Sequence, residues 1–119
     1  MENQSYFNYI ILDERKDVAV IELGRHVLGG NDALNFTAKL NEVGNKNVRF
    51  VALDLINVEV MNSSGLGMLV SGLSTVRKYD IYMLLIHIPS KVRHLLEMTH
   101  LDKVFKMYES IEDAIENNA

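Results

Sequence analysis

Apolar residues along the chain recur with two different periods. Tyr6 to Leu12 is a run of aromatic and β-branched residues that predicts a strand, and Val18 to Leu23 predicts a second. The few polar residues between them, around Arg15-Lys16, predict an antiparallel hairpin. Gly24 and the Gly29-Gly30 pair mark a loop. Beyond it Ala33, Leu34, Phe36, Leu40 and Val43 recur at helical spacing, with Asn31 or Asp32 as the expected cap and Gly44 as the stop. Val48 to Leu55 is apolar enough for a central strand. Residues 64–79 carry a stripe of Leu66, Leu69, Val70, Leu73 and Val76 that predicts an amphipathic helix. Ile81 to Ile88 predicts a fourth strand, Pro89-Ser90 opens a helix through about Met98, and Phe105 to Tyr108 predicts a short fifth strand. Ser110 caps a last short helix through about Glu116, with Glu112 and Asp113 suiting its dipole. Residues 116–119 are expected to fray.

The order ββαβαβαβα implies parallel βα units with the first hairpin adding an antiparallel edge. The expected fold is α/β: one domain over 1–119, its core about 6–116, with a mixed four- to five-stranded sheet flanked by helices.

Composition narrows the function. The 119 residues are 48% hydrophobic and 24% charged, within the range of globular chains. Asp and Glu outnumber Lys and Arg by 16 to 12, which argues against a nucleic-acid binder. The absence of Cys removes disulfides, thiolate metal sites and Cys nucleophiles. The first residues lack a basic n-region, and no stretch approaches the roughly 18 apolar residues that span a bilayer. The expected location is therefore cytoplasmic, without membrane insertion.

One segment resists a bland reading: Val58-Glu59-Val60-Met61-Asn62-Ser63-Ser64-Gly65-Leu66-Gly67-Met68-Leu69, which follows the central strand and runs into a helix. Ser63 and Ser64 fall where unpaired backbone N–H groups collect. Gly65 and Gly67 each weaken a helix by up to about 1 kcal/mol relative to Ala, which suggests a close approach to the backbone. The structural alternative is a cap by Asn62 or a Ser, with glycines for tight packing of helix on sheet. Both readings stand on spacing alone.

This run resembles the signature of the anti-sigma factor antagonist family, the STAS domain, usually Asp-Ser-(Ser/Thr)-Gly-(Leu/Val/Ile)-Gly. The likeness covers about residues 6–116. Val48 to Leu55 is similar to the family's strand before the motif (VxLDL), Lys91 to Asp102 to its VRRLLELTGL helix, and Glu109 to Ala114 to its closing SxEEA segment. The resemblance implies a non-enzymatic switch without cofactors. Its partners would be an anti-sigma factor with serine kinase activity and a serine phosphatase acting on the phosphorylated form. By position Ser63 would be the phosphoacceptor. Met61, Asn62, Ser63, Ser64, Gly65, Leu66, Gly67, Gly29, Gly30 and Asn31 would form the partner-binding surface of a monomer or weak dimer. The exposed side of the motif helix, with Ser71, Ser74, Thr75 and Lys78, is a lesser candidate. Met61 and Met68 suit either buried packing or an adaptable contact.

Two departures stand out. The family usually has Asp where this chain has Asn62. That change removes a charge beside the acceptor, and so either alters kinase recognition or marks a member that binds unphosphorylated. Lys78-Tyr79-Asp80 stands where the family often has Gly-Gly. The resemblance leaves open a non-phosphorylated scaffold in a larger signalling or membrane-associated complex.

Other chemistries fit less well. Asp54 at a strand end invites an aspartyl-phosphate receiver, but the acidic cluster such a site needs after the first strand is missing, and Asp54 reads as structural. His26, His87, His94 and His100 lack tight metal spacing, and His87 reads as a partly buried, satisfied residue. The run SSGLG lacks the G-x-S-x-G elbow of a serine hydrolase, and Met68 stands where a P-loop needs Lys.

Overall fold

The computed structural model describes residues 7–118. Tyr6, expected to open the first strand, lies outside them, as does Ala119. Seven strands and four helices follow in order: β1 (Tyr9–Ile11), β2 (Val18–Glu22), β3 (His26–Val27), α1 (Asn31–Gly44), β4 (Phe50–Asp54), β5 (Val60–Met61), α2 (Ser63–Arg77), β6 (Tyr82–Ile86), α3 (Ser90–Met98), β7 (Lys106–Tyr108) and α4 (Ile111–Asn118). A turn of 3-10 helix at Leu101–Lys103 joins α3 to β7.

The main sheet has the order β1-β2-β4-β6-β7. β1 pairs antiparallel with β2, and the other pairings are parallel. The expected mixed sheet with its edge hairpin is the one observed. The strands are trimmed at both ends relative to their apolar runs. Val48, Leu55, Ile81 and Phe105 lie outside the ladders yet are buried. Apolar pattern reports burial, and burial extends past the last hydrogen bond.

Register sorts the side chains by period two. Ala19, Val51 and Met83 align across the sheet, as do Ile21, Leu53 and Leu85. These six face one core with Phe36, Leu40 and Val43 of α1, Leu66, Met68, Leu69 and Val76 of α2, and Val92 and Leu96 of α3. The alternate residues Val18, Phe50, Ala52, Leu84 and Ile86 meet Ala114 of α4 on the other face. Three helices cover one face and one short helix the other.

Three local expectations need correction. The N-cap of α1 is Gly30, with no side-chain cap bond, so neither Asn31 nor Asp32 fills that place. Gly29 and Gly30 both take positive φ and turn the chain directly into the helix. Their carbonyls accept from Asp32 N at 3.2 Å and Ala33 N at 3.0 Å. α4 runs on to Asn118 instead of ending at about Glu116, and Asn117 Nδ2 donates to the Asp113 carbonyl at 2.8 Å. Thr75 is buried rather than exposed, with its Oγ1 donating to the Ser71 carbonyl at 3.2 Å.

Two further positions take the left-handed region where the family pattern carries glycine. Asp80 has φ 59° in the turn before β6, and His100 has φ 63° just after α3. Ser110 caps α4 as its spacing predicts, accepting from Asp113 N at 3.1 Å.

Candidate functional site

Parallel strands deliver their C-terminal ends to one edge of the sheet, where Glu22, Asp54 and Ile86 stand in register. Asp54 Oδ1 accepts from Ile56 N at 3.0 Å and lies 3.0 Å from His87 Nδ1. It shapes the turn leaving β4, the structural role its position suggested. His87 is half-buried and bonded, as expected.

The chain then forms β5, which pairs in parallel with β3, His26 opposite Val60 and Val27 opposite Met61. This two-residue ribbon was not predicted, because two residues carry no readable period. It is tied at its start by Arg25, whose carbonyl accepts from Glu59 N at 2.8 Å and Val60 N at 3.0 Å. The Arg25 guanidinium also bonds Glu59 Oε1 at 3.0 Å. That bond, with the charge of Arg25 behind it, holds the Glu59 carboxyl below the usual carboxylate range.

Asn62 leaves the ribbon in extended conformation and caps α2. Its Oδ1 accepts from Gly65 N at 2.8 Å, and its carbonyl accepts from Leu66 N at 2.9 Å. Ser63 is the first residue of α2, and Ser63 and Ser64 are both exposed. Their backbone N–H groups lie in the first turn, where a helix offers no acceptor. No acidic side chain stands in that turn.

Two glycines lock this turn to the ribbon. A Cβ on Gly65 would lie 1.8 Å from the Val27 carbonyl oxygen. That same oxygen accepts from Asn62 N at 3.4 Å. Gly29, at φ 76°, sits so close to Ser64 that a Cβ would lie 2.8 Å from its backbone. Gly67 differs, since a Cβ there would meet nothing within 4 Å. The close approach suggested by glycine is made by this chain at Gly65 and is open at Gly67.

The residues singled out from the sequence are brought together but not equally displayed. Asn62, Ser63, Ser64, Gly67, Gly30 and Asn31 are exposed. Met61 is half-buried against the core, while Gly29, Gly65 and Leu66 are buried and shape the surface from beneath. Met68 is buried at 3% exposure, so packing is its role. On α2, Ser71, Ser74 and Lys78 are exposed.

Apolar residues are exposed on the same elements: Leu28 and Val60, within the loops 26–31 and 58–61 that the motif's position pointed to as docking surface, and Leu34 in the first turns of α1, which sequence reasoning missed. Leu34 shares the helical spacing of Phe36, Leu40 and Val43, yet it is 75% exposed. A groove of about 370 Å³ between β5 and α3 adds Met98, with Lys91 and His94 also lining it. An isolated apolar residue in a loop carries no sequence signal of exposure. Among the described residues, no group of three or more His, Asp or Glu is placed to hold a metal, and no helix is long and apolar enough to cross a membrane.

The arrangement is a surface rather than a cleft: exposed serines at a helix start, a ribbon packed behind them, and exposed apolar side chains on the ribbon, its loop and α1. Neither Ser63 nor Ser64 hydrogen-bonds a histidine among the described residues. Comparison with known proteins agrees with the geometry. A family model described as the STAS domain matches residues 9–114. A Thermotoga maritima protein provisionally named an anti-sigma factor antagonist is 29% identical over 110 residues, 92% of this chain and 95% of its own. The crystal structure of a T. maritima protein of the same provisional name superposes with a TM-score of 0.73 at 28% identity, covering 93% of this chain and 92% of that one. The Bacillus protein SpoIIAA in its phosphorylated form aligns with a TM-score of 0.65 at 15% identity, over 94% of this chain and all of that one, a likeness of fold. With the match spanning nearly all of its length, the chain belongs to the STAS domain family.

Proposed function

We propose that this protein is a non-enzymatic anti-sigma factor antagonist. It docks on an anti-sigma factor with serine kinase activity and thereby releases a sigma factor. Phosphorylation of Ser63 by that kinase ends the interaction, and a serine phosphatase restores it. The observation that carries the reading is the exposed Ser63 at the first position of α2, on a helix start packed against the ribbon, with Leu28, Leu34 and Val60 exposed on the ribbon, its loop and α1. The relatives' names and the phosphorylated form of SpoIIAA support the same assignment.

The physics fits a switch that leaves the fold alone. A phosphate adds about −1.5 to −2 charge and three acceptor oxygens. At the start of α2 the dipole and the free N–H groups tolerate it. Against an apolar partner surface the same group must be desolvated. A loss of about 3 kcal/mol there weakens binding about a hundredfold. Asn62 keeps the cap without the negative charge that Asp would place beside the acceptor. Gly67 is where the partner's backbone comes close, since nothing in this chain uses the space its missing side chain leaves. The protein acts in the cytoplasm as a monomer or weak dimer over one domain, and needs no cofactor.

The test is a paired capture from host lysate with wild type, Ser63→Glu and Ser63→Ala as baits, read by mass spectrometry. A serine kinase of the ATPase fold should bind wild type and Ser63→Ala and be lost with Ser63→Glu. Incubation with ATP should phosphorylate wild type alone. Equal capture by all three baits would remove Ser63 as the switch and favour a constitutive scaffold.

A further inference from the structure

The other end of α2 borders a cavity of about 290 Å³, between the helix C-terminus, the start of β6 and the segment entering β7. At about 1.5 Å per residue, Leu73 and Arg77 of its lining lie about 15 and 21 Å along α2 from Ser63. Leu73, Met83 and Val104 give it apolar walls. Met83 is buried, but Val104 remains 44% exposed, so the cavity leaves apolar surface in contact with water. Arg77 and Lys106 also line it, and neither makes an ion pair among the described residues. The Lys106 ammonium sits over the Tyr82 ring, 5.7 Å from its centroid. Asp80 is the one carboxylate in the lining.

We propose that this cavity binds a small organic anion, a carboxylate carried on an aromatic or short acyl body. Two cations against one carboxylate leave the lining net positive, which selects an anion. The guanidinium of Arg77 offers a fork that matches a carboxylate in two parallel bonds. The walls of Leu73, Met83 and Val104 select an apolar body, which a bare inorganic anion lacks. The volume is at the lower end of ligand pockets, about 300–1,000 Å³, so the body is one small ring or a short chain. The site is independent of the proposed switch, which occupies the opposite end of the helix.

The experiment is a titration of the ¹⁵N-labelled full chain, followed by amide shifts. The probe is phenylacetate, with phenethylamine as the cationic control and inorganic phosphate as the bare anion. Phenylacetate should move the amides of residues 77–83 and 104–106 in a saturable way at low millimolar concentration. Arg77→Ala and Lys106→Ala should each weaken binding about tenfold, the scale of one charge-assisted contact. Asp80→Asn should tighten it several-fold, and Asn accepts the left-handed turn that Asp80 occupies, so the fold is kept. Three outcomes would overturn the proposal: no saturable shift by phenylacetate, equal shifts with phenethylamine, or binding unaltered in both cation variants. Equal binding of phosphate would overturn the apolar half of it.

Discussion

Gly65 and Gly67 stand two residues apart on one helix, and the same added methyl should have opposite effects at them. On Gly65 the new Cβ falls 1.8 Å from the Val27 carbonyl oxygen, far inside the 3.4 Å where ordinary contact begins. The obstacle is backbone, held in the ribbon by the pairing of Val27 with Met61, so it cannot rotate away. Overpacking costs about 1–3 kcal/mol, and against backbone this close the upper part of that range, about 2–3 kcal/mol, applies, against which the helix gains about 1 kcal/mol from Ala. Gly65→Ala should therefore lose about 1–2 kcal/mol. On Gly67 the methyl meets nothing, the penalty is absent, and Gly67→Ala should gain about 0.5–1 kcal/mol. At about 4 °C per kcal/mol for a chain of this size, the first should lower the melting temperature by about 4–8 °C and the second raise it by about 2–4 °C. Thermal and urea unfolding by circular dichroism read both. Two variants that melt together, or a loss at Gly67, would refute the contact between α2 and the ribbon. If Gly67→Ala is stabilised yet captures less kinase, the space belongs to the partner.

Three other outcomes follow from named contacts. Asn62→Ala should cost about 1 kcal/mol through loss of the bond to Gly65 N, and Asn62→Asp should stay within a few tenths of wild type in urea unfolding. Asp17 is bonded twice by Arg15, at 3.0 and 3.1 Å, which holds its carboxyl below its ordinary value when folded. A depressed carboxyl contributes stability that is present above about pH 4 and lost as pH falls through its folded value, so Asp17→Asn should flatten that part of the acid limb of a stability–pH profile. His100 occupies a left-handed position directly after α3, and His100→Gly should raise the melting temperature by about 2–4 °C, from about 0.5–1 kcal/mol of relieved strain.

Long, strongly periodic elements were legible in the sequence, and the five strands of the main sheet and all four helices were found. A cap by Asn62 or a Ser was legible too, because a cap is a local device within four residues, and the structure gives it to Asn62. The ribbon was not, since β3 and β5 are two residues each and lie far apart in the chain. Gly65 could be flagged as unusual from its place in a helix, but its reason is a carbonyl at Val27. Backbone atoms leave no mark on composition. Leu34 misled for the converse reason: it follows the helical period, yet α1 turns that position outward and buries Phe36, Leu40 and Val43.

The ribbon also sets when the motif comes into being. Its Arg25–Glu59 tie joins residues 34 apart, across α1 and β4, so its closure orders a long stretch of chain. Non-local closures of this kind come late in folding, because the entropy of closing the loop is lost before the contacts it brings together can form. A chain still emerging from the ribosome carries Ser63 in its sequence but not the shape around it. A partner that reads the assembled surface therefore counts only finished copies of the protein.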